Sequence, residues 1–511
     1  MSKARVERSP LYPKILFGFT DHPITVWAGV ILLRVYFEWI KLREELSLGL
    51  DSLTKRSNNQ ISAMDVMLGW FYGLALGAQR FEHFTRYRCD RLLGELLGME
   101  RFASPDTIRR LFLRFDYQRV TAVSERLMRF SLSRMRPIML GHTVDLDSTV
   151  FCRYGQQQGS LRGYNPHKPG RPSHHPLLAF LAEGRRLLWA TLRSGNTGSA
   201  NGCVEFMRQA LMVLPPGHRI AMVRADAGFF EKRFLEHLEK EQLPYIIVAR
   251  LTAVVRKLVI HRIPSTAWRV VTPGVEVADV EASLPNWQGA QRRFVCLRQE
   301  IVERPEARGR RLVDFPGYTY RVLITSVPYA AEVVTRMYGG RADSENRIKE
   351  LKEDLSLDTF CLKSFDATDA AFRMGCMLYN LLADFRETML PRAWFERRLR
   401  ALRDFVLVVG ADLIAQGRRV QIRLAMPQSQ RAEFLRRLRT VSQGLSIAAQ
   451  LEWSVADQPA THPDNIITTI PLLTPFPTPN SSPEISTAES GFSPSPSRHP
   501  ALCRGQPDST P

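Results

Sequence analysis

The sequence predicts a mixed α/β protein: a helical N-terminal part, a core of mixed sheet flanked by helices and interrupted by an all-β insertion, then a helical C-terminal region. Three observations predict it. Apolar residues recur at three- and four-residue steps from Ile24 to about Arg136. From Met139 onward, short β-branched runs with alternating polarity take over, interleaved with helical stretches. The chain has 511 residues, too many for one hydrophobic core.

Charge narrows the partners. A formal net charge of +19 favours a polyanion, because cations that neutralise phosphates release counterions. Nucleic acid leads and an anionic membrane surface comes second. The seven cysteines are scattered, without a Cys-x-x-Cys pair. That pattern fits a reducing cytoplasm and offers no readable zinc site. The apolar run Ile24 to Leu33 is interrupted by Arg34 and Glu38, well short of the roughly 18 residues that a membrane span needs. It reads as a buried helix. No small-residue cleavage pattern follows it, so no signal peptide is expected.

Within the helical N-terminal part, Met64 to Leu76, Phe81 to Leu97 and Thr107 to Phe115 carry the apolar periodicity. Ser104-Pro105-Asp106 is a strong helix start: a capping hydroxyl, proline in the first turn and an acid at the positive end of the dipole. Arg109, Arg110 and Arg114 follow. With the short connection Gly98 to Ala103 before it, this helix resembles the second helix of a helix-turn-helix, whose arginines would meet phosphates or base edges. A bundle helix with solvated arginines fits the same pattern.

Val144 to Phe151 alternates as a strand, so Asp145 and Asp147 share one face. Two acids on a strand bracketed by Val144, Leu146 and Val150 are costly to bury without a partner such as a metal. Gly155 to His175 reads as an exposed basic loop with Arg162, His167, Lys168 and Arg171. His174 and His175 within it match no ligand spacing and read as solvated or phosphate-facing. Pro176 to Ala182 and Arg186 to Leu192 follow as strands, Asn201 to Val213 as a helix, and Arg219 to Ala225 as a strand ending at Asp226. Asp226 reads either as a cap of the following turn or as an acid brought beside Asp147. The helix Glu231 to Gln242 and the strand Tyr245 to Ala249 complete the order of a ribonuclease H-like domain.

From Leu251 to about Val327 strand character continues without a clear helix, with a basic loop from Arg304 to Arg311. Trp268 and Trp287 there read as structural, with base stacking as the other use. Next comes Ala331 to Leu355. A single helix here places Tyr338, Arg341, Glu345 and Lys352 within roughly a 60° arc, turned inward beside Ile348, Leu351 and Leu355, with Asp343, Arg347 and Glu350 toward water. Arg341 and Glu345, at i and i+4, also read as an ordinary helix ion pair. Helices from Ala367 to Met389 and Pro391 to Phe405, a basic stretch from Arg418 to Arg439, and a tail rich in Pro, Ser and Thr close the chain. The tail is expected to be disordered. The expected division is 1–136 helical and DNA-binding, 137–250 core, 251–327 β insertion, 328–390 core with the Tyr338–Lys352 motif, 391–456 basic and helical, and 457–511 tail.

Tyr338, Arg341, Glu345 and Lys352, with two, three and six residues between them, resemble the Tyr-Arg-Glu-Lys signature of bacterial insertion-sequence DDE transposases. The group resembled is the IS-four-like superfamily, IS-thirteen-eighty type. Asp147, followed by Ser-Thr, resembles that family's first acid, and Asp226, in Arg-Ala-Asp-Ala-Gly-Phe, its second. The likeness covers about Met139 to Phe385 and includes the β insertion before the third acid. It implies a catalytic triad of Asp147, Asp226 and Glu345 holding two Mg²⁺ ions, with Mn²⁺ able to substitute. Asp145 stands as the alternative to Asp147.

The resemblance further implies that Tyr338, Arg341 and Lys352 contact DNA near the scissile phosphate. The expected partners are double-stranded DNA, as terminal inverted repeats and target, and a second copy of the chain in the DNA complex. Cytoplasmic, nucleoid-associated protein and no membrane partner are expected. Two other readings stay open: a ribonuclease H-like nuclease or resolvase that cuts without joining, and a non-catalytic DNA-binding regulator derived from a transposase.

Overall fold

The computed structural model describes residues 23–54, 60–166, 168–301, 317–416 and 419–442. Its strands, in chain order, are β1 (Ile24–Thr25), β2 (His142–Ser148), β3 (Phe151–Cys152), β4 (Ser173–His174), β5 (Leu177–Leu181), β6 (Arg186–Thr191), β7 (Ile220–Ala225), β8 (Tyr245–Val248), β9 (Arg269–Thr272), β10 (Val275–Ala282), β11 (Arg292–Glu300), β12 (Tyr318–Thr325), β13 (Gly410–Gln416) and β14 (Arg419–Ala425). Nine of them form one mixed sheet in the order β6-β5-β2-β7-β8-β12-β11-β10-β9. β2, β7 and β8 run parallel, while β5 and β6 are antiparallel neighbours on one side.

The described residues of 251–327 extend this same sheet. β12 pairs antiparallel with β8, and β11, β10 and β9 follow as a meander. One hydrophobic core joins both halves: Met222 and Ile246 from β7 and β8 pack with Val277, Val295 and Leu323 from the meander, under Ala331 and Val334. The expectation of no helix here needs correction. Thr252 caps a short helix, Ala253–Leu258, by accepting a hydrogen bond from Val255 N at 3.2 Å. The basic loop Arg304 to Arg311 lies outside the described residues.

The Phe365–Met389 helix is apolar nearly all round and buried along most of its length. It packs between β6 and the N-terminal helix Tyr117–Leu132, so the N-terminal helices share its core. Its polar residues close the sheet edge: Asn380 accepts from Leu187 N at 2.7 Å and donates to Leu187 O at 2.8 Å, and Asp369 accepts from Leu192 N at 2.9 Å. An edge strand whose backbone groups are met by a covering helix offers no template for another chain.

Two further expectations differ. Ile24 and Thr25 are extended, and the first helix begins only at Val30; Pro23 and the β-branched run Ile24-Thr25-Val26 favour extended backbone. The region 391–456 is not wholly helical either. β13 and β14 form a hairpin that pairs with β1. Val420, Ile422 and Leu424 alternate with Gln421 and Arg423, a strand period that the arginine content concealed. The tail from 457 lies outside the described residues, among which no helix is long and apolar enough to cross a membrane.

Candidate active site

Alternation on β2 turns Asp145 and Asp147 to one face, where both are buried. Leu146 is the register partner of Ala225 on parallel β7, so Asp147 and Asp226 stand side by side at the strand ends, about 4.8 Å of sheet apart. Asp226 also caps the turn Ala227–Phe229, accepting from Gly228 N at 2.8 Å. Any Cβ at Gly228 would lie 2.8 Å from that carboxylate, so the turn requires glycine.

Both carboxylates face one cation. Arg341 Nη2 lies 3.1 Å from Asp147 Oδ2 and 3.7 Å from Asp226 Oδ2, and donates to Leu146 O at 3.1 Å. Burial works against its charge, but Asp147, Tyr338 and Asp226 hold its pKa above the usual arginine value. Asp147 also accepts from Ser344 Oγ at 2.9 Å and from Ser148 N at 2.8 Å. Burial pushes its carboxyl above the usual range, against the pull of Arg341 and Ser344. Asp145 is committed elsewhere, to the Arg224 guanidinium at 2.6 and 2.8 Å. Burial raises its pKa, and Arg224 opposes the rise.

The expected single helix over 331–355 is broken. An α-helix over Ala331–Gly339 tightens to a 3₁₀ turn at Gly340–Ala342, resumes over Asp343–Lys349 and widens to a π turn at Glu350–Asp354. The glycine pair Gly339-Gly340 weakens the helix there. Three residues at about 120° rather than 100° advance the following face by roughly 60°. Glu345 consequently turns outward and is exposed, while Arg347 and Glu350, expected toward water, are buried.

The structure thus brings Asp147, Asp226 and Arg341 together and leaves Glu345 exposed, one residue along from Ser344. Among the described residues no group of three His, Cys, Asp or Glu side chains gathers around a metal position. Tyr338 is half-buried against the sheet core, and Lys352 Nζ donates to Val150 O at 3.4 Å.

The arginines of the Pro105–Phe112 helix are mostly engaged. Arg109 pairs with Asp106 and Glu82 and lies over the Phe81 ring, and Arg114 donates to Leu53 O at 2.8 Å; Arg110 is exposed. This helix packs on Ala63–Ala75, with Phe112 edge-on to Trp70. His174 and His175 are buried, not solvated. His174 accepts from Arg153 and contacts Gln158 O, and His175 contacts Thr197 O. Trp287 is buried against Phe294, and Trp268 lies under Arg298.

Sequence reasoning passed over Arg224 and Ser344. Arg224 was within reach, because it lies two residues before Asp226 and therefore on the same strand face. Its Nη1 also donates to Met337 O at 2.5 Å, tying the Ala331–Gly339 helix to the sheet. Ser344 depends on the helix phase and had no such signal.

The family model described as Transposase DDE domain group 1 matches residues 9–444. Among solved structures, the cryo-EM structure of a piggyBac transposase synaptic complex with hairpin DNA is similar at a TM-score of 0.35 and 13% identity, covering 76% of this chain and 88% of that chain. No curated protein matches the sequence.

Proposed function

Because the chain belongs to the DDE transposases, group 1 of that domain family, we propose that it binds the terminal inverted repeats of an insertion sequence, cleaves the DNA there and joins the freed ends to a target. The carrying observation is the meeting of Asp147 and Asp226, from neighbouring parallel strands, on the single nitrogen Arg341 Nη2. Two carboxylates aimed at one point are hard oxygen donors suited to a divalent ion once that cation withdraws. The spacing of Tyr338, Arg341, Glu345 and Lys352 supports membership of the IS-four-like, IS-thirteen-eighty-type group. The order β6-β5-β2-β7-β8 supports a ribonuclease H-like core.

In this reading Asp147, Asp226 and Glu345 would hold two Mg²⁺ ions. Bound divalent ions supply a nucleophile at neutral pH and stabilise charge on the leaving oxygen. Glu345, exposed beside Ser344, would have to move toward the two aspartates to complete the set. Arg341 turns from the two aspartates to a DNA phosphate, and Lys352 grips the backbone nearby. Tyr338 packs beside them. Arg110, exposed on its helix, supports a DNA-binding role for the N-terminal part, 1–136. Two ends must be held together for joining, so the working complex is at least a dimer.

The test is incubation of the purified protein with Mg²⁺ and duplex DNA carrying the element ends, scoring cut and joined products. Both products are expected. Cutting without joining would move the protein to the nuclease or resolvase class, and repeat binding without cutting to the regulator class. Lys352→Ala should lower the slope of log affinity against log salt by about one, and an unchanged slope would remove Lys352 from the DNA contacts.

A further inference from the structure

Beside Lys352 a cavity of about 650 Å³ opens between the Arg80–Glu82 turn and the chain that follows β3. Its wall includes Arg153, a residue outside the Tyr338–Lys352 motif, only 3% exposed. Arg153 Nε donates to His174 Nδ1 at 2.9 Å, and Nη1 to the backbone carbonyl of Asp358. Nη2 is buried without a partner among the described residues. His174 stays neutral, its pKa pushed down to about 4 by burial, so this pair brings one net positive charge and no anion. A buried guanidinium that lacks an ion-pair partner is costly unless an anion completes it.

The surroundings repeat the sign. Arg80, Lys168 and Lys352 line the same cavity. Of its two carboxylates, Glu82 is already paired with Arg109, which leaves Asp358 against four cations. We infer that this cavity is a phosphate site, with Arg153 and Lys168 binding a backbone phosphate of the same DNA strand that enters the Asp147 site. The inference rests on the transposase reading and adds to it a contact that the signature residues do not provide. The geometry favours DNA over a small anion. Lys352 Nζ reaches Val150 O, three residues beyond Asp147, so cavity and site adjoin along β2 and β3. Arg153 lies six positions after Asp147, a span of at most about 21 Å. A duplex turn measures roughly 34–36 Å, so the two contacts fall within about 0.6 of a turn on one strand.

The test uses the full chain. Binding to duplex carrying an element end is followed by fluorescence anisotropy across a salt series, for wild type, Arg153→Gln and Lys168→Gln. Each variant is expected to lower the slope of log affinity against log salt by about one. Lys168 is exposed, so its variant carries the test if thermal melting finds Arg153→Gln unfolded. A wild-type slope in every folded variant, with wild type binding the ends, overturns the inference and leaves the transposase reading intact. Failure of wild type to prefer end DNA over unrelated duplex sinks that reading instead. A parallel melt with inorganic phosphate separates the sources: stabilisation lost in the variants, with DNA slopes unchanged, would assign the cavity to a free phosphate ligand and overturn the DNA assignment.

Discussion

Asp147→Asn is expected to remove cleavage and joining almost entirely while end binding stays within a few-fold of wild type. Asparagine keeps the shape and one oxygen acceptor for Ser344 Oγ, now 2.9 Å away, but loses the charge that Arg341 meets at 3.1 Å and that a divalent ion would need. Loss of an outer partner of a metal site costs about 10- to 100-fold, so loss of a direct ligand should exceed 100-fold in rate. Asp145→Asn provides the contrast. Asp145 lies two residues away on the same strand face, but both its oxygens are taken by Arg224, which also holds Met337 O. Its loss leaves Arg224 buried without its counter-charge, at a cost of about 3–5 kcal/mol. That defect is one of stability and of helix placement. Cleavage assays with Mg²⁺ run beside thermal melts distinguish the two. An Asp145→Asn protein of wild-type stability but no activity, with Asp147→Asn still cutting, would exchange their roles.

Why one of these acids was legible and the other ambiguous follows from what a strand encodes. The period of two places Asp145 and Asp147 on one face, and the Arg219-to-Asp226 run ends where β7 ends, so the two strands could be read from local pattern and the meeting of Asp147 with Asp226 from the ribonuclease H-like order of the elements. The choice between the two acids depends on Arg224, 79 residues from Asp145, and no local period encodes that distance. The helix from Ala331 misled for a different reason. Periodicity assumes constant pitch, and the turn at Gly340–Ala342 breaks it, so Glu345, Arg347 and Glu350 fall on other faces than a constant pitch assigns, while Leu351 and Leu355 are buried as expected. The C-terminal hairpin was missed because charge was weighed above the alternation of Val420, Ile422 and Leu424. A polar loop predicts His174 and His175 as solvated or phosphate-facing; both are buried, His174 within the strand pair β3-β4 and His175 directly after it.

The largest expected loss of stability comes from Glu350, which the helical period assigned to water. It is 1% exposed. Arg347 Nη1 and Tyr379 OH donate to one oxygen at 3.2 Å each, and Arg386 Nη1 and Leu399 N donate to the other at 3.0 Å each. Four donors satisfy a carboxylate's acceptor sites, which is why the charge is tolerated inside. Glu350→Ala would leave Arg386, 2% exposed, without its carboxylate and Arg347, 6% exposed, with Asp343 as its remaining carboxylate, at about 3–5 kcal/mol. Glu350→Gln should recover little, because its amide nitrogen must face two donors wherever it is placed. The effect reaches the site through the chain: Arg347 also holds Asp343, at 2.5 Å, and the Asp343–Lys349 helix between them carries Ser344 and Glu345. Urea or thermal unfolding should therefore find both variants much weakened, and cleavage at a temperature where they remain folded should also fall. A melting midpoint equal to wild type would mean that the four contacts contribute nothing net, and the helix that presents Glu345 would then be held by the apolar burial of Leu351 and Leu355 and by the contacts of Arg341 and Ser344 with Asp147.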